Sequence, residues 1–200
     1  MVLVVLLEVV AVAVVCFLVG AVNPATLLAR ALGRDLTASG SGNPGATNAG
    51  RVLGRKWGVL VLLLDVAKAY LPTVLVLRTM GTVPALVAGL AVVLGHVFSP
   101  FLRGRGGKGV ACALGAILAV VPLVGLVAVL VFAVAVSLTK YIGEASVVVT
   151  VVLVVIGVLG MVGLAPVQGL VGGWLVLLAL LVLSRHRRNV VAWWGRVRRG

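Results

Sequence analysis

Acidic residues are almost missing from this chain: four Asp and Glu among 200 residues, against 17 Lys and Arg. Only 10% of residues are charged, where a soluble domain of this length would carry about a quarter. A water-soluble fold is therefore excluded. Two cysteines, Cys16 and Cys112, stand isolated in apolar sequence with no CxxC and no neighbouring His. They read as small buried hydrophobes, not as a disulfide or a metal pair. The net charge of +13 does not form a soluble basic face, since the cations sit between apolar blocks and at the C-terminus, so no nucleic-acid partner is expected.

What is present is hydrocarbon, at 62% hydrophobic residues and a mean hydropathy of +1.30. Several stretches run about 20 residues without charge, long enough to cross about 30 Å of bilayer as helix. They are continuously apolar and not alternating, which disfavours a β-barrel. The expected fold is an all-α polytopic membrane bundle, a single domain over residues 1–200. Met1 to Val22 lacks the positive start of a signal peptide and is kept as a first span, disturbed near its inner end by Asn23-Pro24. Trp57 to Leu77 and Val83 to Phe98 follow, the former with Asp65 and Lys68 three apart on one helical face, able to pair. The pair reads equally as a support of the fold or as a pocket wall.

Val110 to Leu138 is uncharged for 29 residues, about 43 Å as one helix. Pro122 and Gly125 offer a turn, and two short spans are expected. Val147 to Leu164 and Gly169 to Leu183 complete seven. That count places the loops at 30–56, 99–109 and 139–146 and the tail after Ser184 on one side, with every Lys and Arg except Lys68 and Arg78 in them or at their edges. The positive-inside rule makes that side cytoplasmic, the N-terminus outside and the C-terminus cytoplasmic. Trp193, Trp194, Arg196, Arg198 and Arg199 suit a tail lying on anionic headgroups.

Three polar segments interrupt the hydrocarbon. SGSGNPGATNAGR, Ser39 to Arg51, combines glycines with Ser41, Asn43, Asn48 and Arg51, a composition that suits an anion but also any surface loop. GHVFSPFLRGRGGKGVAC, Gly95 to Cys112, brings His96, Arg103, Arg105, Gly106, Gly107 and Lys108 to the start of an apolar helix, where a phosphate would meet unpaired N–H groups. It is no Walker A loop, because Gly109 follows Lys108 where a hydroxyl is required. In the tail, His186 and Asn189 share a helical face if the last span continues. Predicted to meet on one side, these segments and Ser146 would form a pocket open both to a soluble anion and to an acyl chain. A polytopic transporter of an anion or lipid is the alternative, although it needs a path lined by outward-facing charge and only Arg78 and Glu8 lie near that face. A non-catalytic membrane scaffold is a third reading.

At these residues the sequence resembles the bacterial acyl-phosphate-dependent glycerol-3-phosphate acyltransferases, integral enzymes of the cytoplasmic (inner) membrane. The resemblance rests on SGNPGATNAGR with Gly20 to Pro24 and Arg30, on GHVFSPFLRGRGGKGVA, on HRRN at His186 to Asn189, on LLDVAK at Leu63 to Lys68, and on KYIGEAS at Lys140 to Ser146. Departures are Gly104-Arg105 in place of Phe-Lys, Cys112 in place of Thr, Gly143-Glu144 in place of Ser-Leu, and Ala192 in place of Arg. The resemblance implies seven spans with the N-terminus outside and an active site facing the cytoplasm. It implies transfer of an acyl group from a fatty acyl phosphate to the 1-hydroxyl of sn-glycerol 3-phosphate beside membrane lipid, with no metal, nucleotide or other cofactor. On that reading Lys108, Arg51 and Ser41 bind phosphate charge with the N–H groups of Gly106 and Gly107 and with Arg105. Asn43, Asn48, Asn189 and Ser146 orient the substrates, and His96 or His186 positions or deprotonates the hydroxyl, unless a substrate phosphate oxygen takes the proton.

Overall fold

The computed structural model describes residues 2–187 together with Val190, Val191, Trp194 and Arg198. The described secondary structure is all helical: α1 (Val2–Ala21), α2 (Pro24–Ala31), α3 (Ala46–Val52), α4 (Arg55–Met80), α5 (Thr82–Val97), a short 3-10 turn (Pro100–Leu102), α6 (Val110–Val120), α7 (Pro122–Thr139), α8 (Ile142–Met161) and α9 (Gly169–Ser184). Two compact units divide the chain, Met1–Val120 and Val121–Gly200. The boundary coincides with the break expected at Pro122. Val121 leaves helical geometry at φ −135°, and Pro122 then starts α7 from a position where its missing N–H costs nothing.

Large aliphatic side chains cover the outside, among them Leu7, Val15, Leu63, Leu75, Leu130 and Leu177, each about half exposed or more. Such a surface is stable only against lipid. Five stretches are long and apolar enough to cross: Val2–Ala31, Arg55–Met80, Thr82–Leu102, Pro122–Thr139 and Ile142–Met161. The remaining two expected spans are shorter apolar helices, α6 with 11 residues and α9 with 16. At 1.5 Å per residue they reach roughly 16 Å and 24 Å, less than the hydrocarbon thickness.

In the first unit, α1 packs on α5, and α4 packs on α3, α5 and α6. Without a hydrophobic force between helices in lipid, close backbone approach through small residues holds such crossings together. At the α1–α5 crossing a Cβ on Gly20 would collide with the Val92 carbonyl, and one on Gly95 with the Phe17 carbonyl. Pro72 lies inside α4 and leaves the Lys68 carbonyl, four residues earlier, without its helical donor. In the second unit α8 packs on both α7 and α9. There Gly172 abuts the Gly157 carbonyl with no room for a Cβ, the close approach expected of Gly172-Gly173.

Candidate functional site

The loop between α2 and α3 is an ordered structure built around two asparagines. Asn23 caps α2, its Oδ1 accepting from the Thr26 N–H at 2.9 Å with Pro24 in the first turn, while its Nδ2 donates to the Pro44 carbonyl at 2.9 Å. Asn48, on α3 and 1% exposed, donates to the carbonyls of Leu36 (3.1 Å) and Ser39 (3.0 Å) and accepts from the Ser41 N–H at 2.9 Å. Leu36 is buried with Ala25, Ala29, Ala49 and Val61 beneath the loop. An anchored underside leaves the outer face in place: Ser41 and Arg51 are exposed and Asn43 is half-buried. The Asn48 amide is thus engaged in holding the loop, whereas Ser41, Asn43 and Arg51 are placed to meet a ligand.

The second segment turns sharply at the end of α5. Arg103 takes left-handed geometry at φ 53°, and the Gly104 N–H bonds the Ser99 carbonyl at 2.8 Å. The chain then runs back along α5, with Gly106 N–H on the Val97 carbonyl and Gly107 N–H on the His96 carbonyl, both at 3.1 Å. A Cβ on Gly106 would strike the His96 carbonyl, and one on Gly107 the His96 Nε2. These two amides are therefore committed within the protein, which differs from the expectation that they donate to phosphate. Close approach is what the glycines provide. Arg105 is exposed, Lys108 is half-buried, and α6 begins two residues after it.

Behind this turn lies a buried polar cluster. Asp65 and Lys68 do pair, at 2.9 Å, and Lys68 Nζ also reaches the Val22 carbonyl at 2.7 Å and His96 Nδ1 at 3.0 Å. The ammonium donates to the Val22 carbonyl, while its contact with Asp65 Oδ1 is an ion pair without hydrogen-bond geometry. The nearer partner of His96 Nδ1 is then a donor, since Asp65 Oδ1 stands further off at 3.4 Å. A neutral His96 with an accepting Nδ1 carries its proton on Nε2, the nitrogen packed against Gly107. Asp65, His96 and Cys112, all buried, also bring ligand atoms within 4.8 Å of one another. That set could attract a metal, but the Lys68 ammonium already supplies a cation to its carboxylate and imidazole.

In the second unit Ser146, 4% exposed, donates back to the Ile142 carbonyl at 2.8 Å along α8. His186 is 1% exposed just beyond α9, with Nδ1 at 2.8 Å from the Val182 carbonyl. A carbonyl only accepts, so Nδ1 bears the proton, and a neutral His186 has its lone pair on Nε2. Asn189 lies outside the described residues, as do Arg188, Ala192, Trp193, Arg196 and Arg199.

Two supporting roles escaped the sequence reading. Ser99, fully buried, donates to the Ala21 carbonyl at 2.6 Å and so satisfies the end of α1. In the sequence Asn23 marks a helix disturbance and falls in the Gly20 to Pro24 block of the resemblance; its capping role is what an Asn immediately before Pro signals, a cap followed by the first helical position.

Residues 10–195 match the family model described as glycerol-3-phosphate acyltransferase. Curated relatives of that name include one from Geobacter sulfurreducens, 41% identical over 178 residues (88% of this chain, 89% of the relative). Another, from Myxococcus xanthus, is 39% identical over 180 residues (88% and 90%). Among solved structures, PlsY (YgiH), an integral membrane glycerol 3-phosphate acyltransferase, superposes in its glycerol 3-phosphate form with a TM-score of 0.85 at 33% identity, covering 94% of this chain and 92% of that one. Its lysophosphatidic acid form gives 0.84 with the same identity and coverage. On the match across nearly its whole length, the chain belongs to the glycerol-3-phosphate acyltransferase family of integral membrane proteins.

Proposed function

We infer that this chain transfers a fatty acyl group from acyl phosphate to the 1-hydroxyl of sn-glycerol 3-phosphate. The hydroxyl oxygen bonds to the acyl carbon, the carbon–oxygen bond to phosphate breaks, and lysophosphatidic acid and inorganic phosphate leave. One observation carries the reading: the Ser39 to Arg51 loop and the Arg105 to Lys108 turn are both fixed from beneath by buried hydrogen bonds, with cations on their accessible sides. A reaction between two phosphate-bearing molecules needs charge neutralised at two places and the reacting atoms held at a fixed separation.

Arg51, Ser41 and Lys108 take phosphate charge, with Arg105 at the edge and Asn43 orienting an oxygen. Asn48, Gly106 and Gly107 shape the segments that carry them. Either His96 or His186 positions or deprotonates the attacking hydroxyl. A substrate phosphate oxygen is the other acceptor of the hydroxyl proton. The resemblance adds Ser146 and Asn189 to the residues expected to touch substrate. Seven crossings in the bacterial cytoplasmic membrane, N-terminus outside and the Arg51 and Lys108 segments facing the cytoplasm, follow from the distribution of Lys and Arg. A single cysteine placed at Gly81 should then react with an impermeant thiol reagent from outside, and one at Thr47 only from inside.

Purified protein in lipid nanodiscs should release phosphate from palmitoyl phosphate only when glycerol 3-phosphate is added. Folded protein without that turnover would refute the reading. Lys108→Ala and Arg51→Ala should each lower kcat/KM by about 100-fold, the scale of losing one oriented charge-stabilising donor.

A further inference from the structure

Lys68 stands where the supports of both anion-suited segments meet. Its ammonium touches the Val22 carbonyl (2.7 Å), Asp65 Oδ1 (2.9 Å) and His96 Nδ1 (3.0 Å). Val22 immediately precedes Asn23, whose Nδ2 holds the Pro44 carbonyl of the first loop. His96 holds the second segment twice, with its carbonyl on the Gly107 N–H at 3.1 Å and its Nε2 edge filling the space a Cβ on Gly107 would need. One path runs from Lys68 through Val22, Asn23 and Pro44 to Ser41 and Arg51. The other runs through His96 and Gly107 to Lys108. We propose that Lys68 is a positioning residue for acyl transfer, setting the separation of the two phosphate-holding segments by bridging the end of α1 to His96.

The cap of α1 alone does not account for this arrangement. Ser99 already serves the Ala21 carbonyl from α5, and a lone carbonyl at Val22 needs only one neutral donor, not an ammonium paired with its own carboxylate. Asp65 pairs with the ammonium at 2.9 Å, the ammonium stands 3.0 Å from His96 Nδ1, and the other edge of that ring fills the space beside Gly107. Each segment still holds its own phosphate when the bridge is lost, so the effect falls on kcat and leaves KM for both substrates nearly unchanged.

The inference rests on the acyl-transfer reading, and wild-type protein in the same assay separates the two. No glycerol 3-phosphate-dependent phosphate release by folded wild-type protein would overturn that reading; turnover by wild type with an equal kcat for Lys68→Met overturns the positioning role alone. In nanodiscs, with rates normalised to monodisperse protein, Lys68→Met should lower kcat about 100-fold, the scale of a misplacement near 1 Å, with each KM within about threefold of wild type. Gly107→Ala pushes the same ring from the other side, so the double variant should lose no more than the worse single variant. Multiplying losses, or a fall confined to the yield of folded protein with native kcat in what remains, contradict the proposal. Where Lys68→Met does not accumulate, Lys68→Arg keeps the charge but moves its donors; a lowered kcat supports the role, and native kinetics exclude it.

Discussion

The two units use polar side chains differently. In the first, several tie together distant parts of the chain: Asn23 to Pro44, Asn48 to Leu36, Lys68 to Val22 and to His96, Ser99 to Ala21. In the second, Ser146, Thr150 and Ser184 on their helices, and His186 just beyond α9, each turn back to a carbonyl three or four residues earlier. Hydroxyls bonded back in this way satisfy themselves in lipid without committing the helix to a neighbour. Cross-chain bonds in the first unit instead specify where two irregular loops stand. In the first unit the positions of the two loops are thus over-determined by bonds between distant segments.

Substitutions can break that contrast. The largest effect is expected from Gly95→Leu, which drives a side chain into the Phe17 carbonyl at the α1–α5 crossing. Overpacking of about 3 kcal/mol or more should abolish monodisperse protein on gel filtration after detergent extraction. Asn48→Leu comes next, leaving the Leu36 and Ser39 carbonyls and the Ser41 N–H without their partner. About 1–3 kcal/mol for each buried orphan predicts a lower thermal midpoint and, since the loop loses its underside, a kcat at least about tenfold down. Thr150→Val in the second unit removes only a bond to the Ser146 carbonyl of the same helix, and should cost about 1 kcal/mol or less with native kinetics. An Asn48→Leu effect no larger than that of Thr150→Val would erase the distinction.

The smallest effect is one of pH. Asp35 is exposed, and the hydroxyl and N–H of Thr37, at 2.7 Å and 2.8 Å, hold its carboxyl below the usual carboxylate range. A folded value below the unfolded one stabilises above the unfolded pKa, and the contribution is lost as pH falls through the folded value. The thermal midpoint of wild type should therefore exceed that of Asp35→Asn slightly at pH 7, and the gap should close below about pH 4.

Much of this architecture was legible because the bilayer imposes a simple rule of length and apolarity. The span Val83 to Phe98 could be read within one residue and Pro122 marked its break, whereas Val147 to Leu164 starts five residues late because α8 takes in Glu144 and Ser146 from the expected polar connection. Crossing number was harder, since α6 and α9 are shorter than the hydrocarbon and only charge bias speaks for them. At the site, residue types pointed to an anion, but their division of labour did not show. Asn48 and Asn43 look alike in the sequence, yet one faces inward beneath the loop and the other sits half-buried at its edge. Lys68 was visible as half of a helical pair with Asp65. Its bonds to Val22 and His96, 46 and 28 residues away, leave no local pattern.

The central claim is that this membrane protein makes lysophosphatidic acid from two phosphate-bearing substrates held by the first unit's loops. Its most direct test is to measure phosphate and lysophosphatidic acid together in nanodiscs containing palmitoyl phosphate, with and without glycerol 3-phosphate, for wild type and Lys108→Ala. The prediction is one phosphate per lysophosphatidic acid, neither without the acceptor, and both reduced about 100-fold in the variant. Phosphate released without the acceptor, or equal product from Lys108→Ala, would contradict it.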